Sequence, residues 1–100
     1  MSHDFVVNSV VLSPQISESL TLDIFLFPLI QFAHARHCSG DFGELDLINQ
    51  IRSYIGYVSN GLVISQYTID YEDSMHYGCF ISIVTEADRS TTIISFLGEL

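Results

Sequence analysis

The chain has no lysine and no tryptophan, and its strongly basic side chains are Arg36, Arg52 and Arg89. Twelve Asp and Glu residues oppose them, for a formal charge of −9. Phosphate recognition relies on clustered Lys and Arg that displace condensed counterions. The composition therefore predicts no direct binding to nucleic acid and none to an anionic membrane. It makes a basic protein or a nucleoprotein the natural target of the field. Cysteine is scarce as well. Cys38 and Cys79 make no disulfide framework, and two isolated thiols fit a reducing cytoplasm as small core residues. No hydrophobic run is long: Ile24 to Ala35 falls short of the ~20 residues that span a bilayer, and Pro28, Gln31 and His34 interrupt it. Met1-Ser-His-Asp lacks the positive region of a signal peptide, so a cytoplasmic location is expected.

What is present is apolar. Hydrophobic residues make up 48% of the chain and charged ones 15%, against roughly 25% charged in a typical domain. Mean hydropathy is +0.36. Either an ordinary core lies beneath an uncharged Ser/Thr/Tyr/Asn surface, or an apolar patch awaits a second subunit or a partner.

One hundred residues predict a single domain over 1–100. Phe5 to Leu12 is β-branched and reads as a strand. Ser13-Pro14 is an N-cap followed by proline at the first helical position, opening a short helix through about Leu20. Because Pro28 disfavours helical geometry at Phe27, a second helix is expected from Pro28 to about Cys38, stopped by Ser39-Gly40. A third helix is expected from Asp46 to Val58, with Ile48, Ile51, Ile55 and Val58 as its core-facing stripe. Asn60-Gly61 ends it, with Gly61 free to take positive φ. Residues 62–71, 79–85 and 91–97 read as strands, and their short joins favour an antiparallel meander. The fold class is α+β: a short antiparallel sheet, from the C-terminal meander plus the N-terminal strand, packed against two or three helices.

Three polar clusters are candidates for chemistry. In the first, His34, His37, Cys38 and Asp41 are metal-ligand types, but no second pair lies at finger-like spacing and no metal or cofactor site is expected. Cys38 beside His37, or His76, is a thinkable nucleophile pair; a buried inert thiol is the blander alternative. The second cluster, from Thr85 to Thr92, offers Glu86 and Asp88 as paired carboxylates and Arg89 as an anion clamp. Its alternative is a hairpin loop in which Asp88 bonds local backbone and Arg89 pairs with a nearby carboxylate. If Arg89 reaches Asp41 or Glu44, the two clusters form one surface. The third, Asp70-Tyr71-Glu72-Asp73 with Tyr77, is either a solvated loop or a set of rim charges and aromatic anchors for a basic target.

The first two segments resemble a family of small plasmid, integrative-element and phage proteins. Its pattern runs Arg-His-x-Ser-Gly-Asp-Trp-Gly, a helix with an Asn, a Gly-Arg-x-x-Ser-x-Tyr strand, then Ile-Thr-Glu-Ala-Asp-Arg-Ser-x-Thr-Thr. Here Arg36 to Gly43 is similar to the first part, Asn49 to the helix Asn, Ser65 and Tyr67 to the strand, and Val84 to Thr92 to the last. The likeness covers residues 28 to 95, with Phe42 in place of the tryptophan. It implies a mobile-element origin. Small acidic accessory proteins of such elements block host defence proteins such as CRISPR effectors or restriction enzymes, which by analogy makes an inhibitor of that type the expectation. Three functional classes follow: a non-enzymatic acidic binding protein; a small enzyme or nucleotide-binding domain using His37, Asp41, Glu86, Asp88 and Arg89; and a structural homodimer. Asp41, Phe42 and Glu44 complete the candidate motif site.

Overall fold

A computed structural model describes residues 9–69 and 80–99. The elements run β1 (Ser9–Leu12), α1 (Pro14–Leu22), α2 (Leu26–Cys38), α3 (Leu47–Ser59), β2 (Val63–Thr68), β3 (Phe80–Thr85) and β4 (Thr91–Phe96). Helices and sheet pack together as an α+β fold, as expected. The sheet order is β1-β4-β3-β2. The β2–β3–β4 meander is antiparallel, but β1 lies parallel to β4, so the sheet is mixed. The reason is topological. The three helices, β2 and β3 all separate β1 from β4, which gives room for the crossover that a parallel pair needs. Residues 5–8 of the expected first strand lie outside the described residues.

Alternation sets the faces of the sheet. Val63, Ser65, Tyr67, Ile81, Ile83, Thr85, Thr92, Ile94 and Phe96 all point to one buried face. Ile16 of α1 and Leu26, Ile30 and Ala33 of α2 cover it, forming the main core with the sheet. Ser13 caps α1 as its sequence predicts, accepting from the Ile16 N–H at 3.2 Å, with Pro14 in the first turn. Helix α2 begins at Leu26, two residues before the expected start. Pro28 sits in its first turn, where no intrahelical N–H acceptor is required, and the Asp23 carboxylate accepts from the Phe25 N–H to bend the chain into the helix.

The largest departure concerns α3. It starts at Leu47, one residue after the expected start, with Asp46 as its cap: the Asp46 carboxylate accepts from the Asn49 N–H at 2.9 Å. The stripe expected to face the core faces outward instead. Ile48, Ile51, Ile55 and Val58 are 51–63% exposed, and the buried residues of the helix are Ser53 and Gly56. This small-residue side lets α3 lie close along the outer edge of β2. The Ser53 hydroxyl donates to the Ile64 carbonyl at 2.6 Å and accepts from the Ile64 N–H at 3.1 Å, satisfying an edge residue that β3 cannot reach. A β-carbon on Gly56 would stand 2.1 Å from the Leu62 carbonyl oxygen. The positive φ after the helix belongs to Asn60 (59°) and not to Gly61, because Asn tolerates the left-handed region while Gly61 is needed for its close pass over Gly56.

Candidate functional site

The first candidate cluster straddles the end of α2 and the turn after it. Its two halves point opposite ways. Arg36 faces out, His37 faces in, and Gly40 turns the chain at φ +89°. Arg36 meets the Asp41 carboxylate with two contacts, Nε–Oδ2 at 2.7 Å and Nη2–Oδ1 at 3.3 Å, and its guanidinium lies 4.8 Å over the Tyr67 ring. That bond holds the Asp41 carboxyl below the usual carboxylate range, with the Gly43 N–H helping at 3.1 Å. Tyr67 donates its hydroxyl to the Asp41 carbonyl at 2.5 Å, and burial pushes its own pKa up. Phe42 is buried edge-to-face against Tyr57. Glu44 accepts from the Thr68 hydroxyl. Gly43 has no room for a side chain: a β-carbon would lie 1.9 Å from the Gln66 carbonyl oxygen.

His37 has no exposed surface. Its Nδ1 is 2.5 Å from the Ser65 hydroxyl and its Nε2 2.7 Å from that of Thr85, which in turn lies 2.7 Å from the Thr92 hydroxyl. One ring nitrogen donates and the other accepts, with the hydroxyls rotating to suit either tautomer. Desolvation, then the positive fields of His34 and Arg89, lower its pKa to about 3. A neutral, sealed imidazole of this kind ties α2 to three strands. The two sequence-distant segments do meet, therefore, but through His37, Thr85 and Thr92.

The expected junction between Arg89 and Asp41 or Glu44 is not the one formed. Arg89 takes a left-handed φ of 62° in the β3–β4 loop and donates to the carbonyls of Gly61 (2.7 Å), Gly56 (3.0 Å) and Glu86 (3.2 Å). It thus serves the carbonyl-rich end of α3, where a cation is favoured, while Asp41 has Arg36 closer in the chain. Glu86 and Asp88 are exposed. The Asp88 carboxylate accepts from the Ser90 N–H at 2.9 Å, the local loop bond of the blander reading, and the Ser90 hydroxyl together with this N–H holds its pKa down. Cys38 lies 3.4 Å from His34 Nε2, one helical turn earlier, and not against the adjacent His37, which faces the core. Among the described residues no group of three or more His, Cys, Asp or Glu is placed to hold a metal ion. Asp70, Tyr71, Glu72, Asp73, Tyr77, His76 and Cys79 lie outside the described residues.

Among the described residues, the large apolar side chains that are most exposed include two groups. One is the outward side of α3. The other is the α1–α2 corner, where Leu22, Ile24, Phe25 and Phe32 are 68–78% exposed, with Phe25 at the N-cap of α2 and Phe32 seven residues on. Glu18, one turn before Leu22, and Asp23 flank this corner with negative charge. No helix among the described residues is long and apolar enough to cross a membrane. Compared with models of known protein families, with curated proteins and with solved structures, the chain finds no match.

Proposed function

We propose that the chain is a non-enzymatic acidic binding protein of a phage or other mobile element, working in the cytoplasm as an inhibitor of a host defence complex of the CRISPR or restriction type. The observation that carries the binding role is the α1–α2 corner, where aromatic anchors stand in solvent beside carboxylates. A basic protein surface suits that chemistry: rings fill hollows, and Glu18 and Asp23 meet Lys and Arg at the rim. Charge of −9 speeds the encounter at low salt and opposes phosphate contact. The polar motif residues support the same reading from the other side, since His37, Arg36, Asp41 and Arg89 all hold the fold together. The mobile-element setting and the defence target come from the family resemblance.

The test is biological interference. Cells carrying a CRISPR or restriction system should admit phage or plasmid more readily when they express the protein. Phe25→Glu with Phe32→Glu should abolish this while leaving circular dichroism unchanged. Binding to the isolated defence complex should weaken as salt rises. Failure to protect against any such system would remove the inhibitor role. Small-molecule turnover lost in Asp41→Ala would point to the enzyme alternative.

A further inference from the structure

The outward stripe of α3 calls for an occupant, and its spacing identifies one. Ile48, Ile51, Ile55 and Val58 follow one another at intervals of three, four and three residues, the seam of a two-heptad coiled coil. Leu47 and Tyr54 widen the seam on one side. The interval pattern reads the same in both directions. When a second α3 is laid antiparallel with its centre over residue 53, Ile48 falls opposite Val58 of the other copy and Ile51 opposite Ile55. All four layers fill in both chains at once, as a two-fold interface requires.

Charge points the same way. Helix α3 has no acidic residue in a chain that has twelve, and its one ionised side chain, Arg52, lies at the margin of the stripe. A basic partner would find no carboxylate here, whereas a second copy would bury none. The six exposed side chains offer on the order of 600 Å² of apolar surface per copy, at the lower end of what each partner contributes to a standard interface. Beside them a hollow of about 300 Å³, bordered by Phe42, Leu47, Ile51 and Tyr54, is open to a large side chain from across the seam.

We infer that the protein is a two-fold homodimer joined by antiparallel pairing of α3 through Ile48, Ile51, Ile55 and Val58. This assignment rests on α3 alone and is independent of the α1–α2 corner.

Sedimentation equilibrium between about 1 and 100 μM measures it directly. The wild type should move from the 11.2 kDa chain mass to twice that value. Because both copies are strongly negative away from the seam, added salt should tighten the dimer, the opposite of its effect on a basic partner. Ile51→Glu and Ile55→Glu, both at exposed positions, should leave the fold and its thermal transition intact while raising the dissociation constant by about 100-fold or more, because each dimer would bury two unpaired carboxylates. Ile48→Gln with Val58→Gln should weaken the dimer more mildly. A wild type that stays at monomer mass throughout would overturn the proposal. So would a dimer that Ile51→Glu and Ile55→Glu leave untouched.

Discussion

His37 shows how a residue type associated with chemistry can be spent on architecture. Its ring bonds to Ser65 and Thr85 leave no face for a substrate, and its pKa near 3 keeps it uncharged. The unfolded chain takes up a proton at His37 below about pH 6.5, which the folded chain refuses until about pH 3. Stability is therefore at its full value above pH 6.5 and falls as pH drops through that window, by up to about 1.4 kcal/mol per pH unit from this residue. Half-buried His34, also lowered, adds in the same sense. Urea midpoints at pH 7, 5.5 and 4.5 should decline for the wild type and decline less for His37→Gln; equal slopes would clear His37 as the source. The residues of this network were legible in the sequence as motif members, but their roles were not. Thr85 and Thr92 become neighbours only through the β3–β4 register, and a hydroxyl next to a carboxylate-rich loop gives no sign that it points into the core.

Helix α3 marks how far periodicity reads. Hydrophobic spacing correctly gave a helix at this place and a continuous apolar stripe. It could not say whether the stripe meets the chain's own sheet or another molecule, since both demand the same pattern. The information lay on the opposite side, in Ser53 and Gly56, whose small size signals close approach to backbone. A local signal fared better: the cap at Ser13 needs only its own next turn, and it formed as the sequence implied. Gly56→Ala should cost about 2–3 kcal/mol by driving a methyl group into the Leu62 carbonyl and lifting α3 from β2. An unchanged unfolding midpoint for Gly56→Ala would mean that α3 packs less closely than described.

At the scale of the whole molecule, the two ends of the described chain are joined to each other. Beyond the β1–β4 pairing, the Glu99 carboxylate accepts from the Ser13 hydroxyl at 2.6 Å, the Gln15 N–H at 3.0 Å and the Phe96 N–H at 3.1 Å. It places a negative charge at the start of α1, where the helix dipole favours one. Glu99→Gln keeps the size and loses that charge, so it should lower stability by about 1–2 kcal/mol in chemical denaturation at neutral pH, with little change in helix content; no shift would mean that the carboxylate is dispensable. The same clasp bears on how the protein is born. Ser9 to Leu12 pair with Thr91 to Ile94, more than eighty positions later. A ribosome adding roughly 5–20 residues per second needs on the order of ten seconds to cover that distance. Through that interval α1 and α2 have no sheet beneath them, and their core residues Ile16, Leu26 and Ile30 stand alongside Phe25 and Phe32 in solvent. The nascent chain is thus at its stickiest throughout that interval, and the sheet waits for β4 to close.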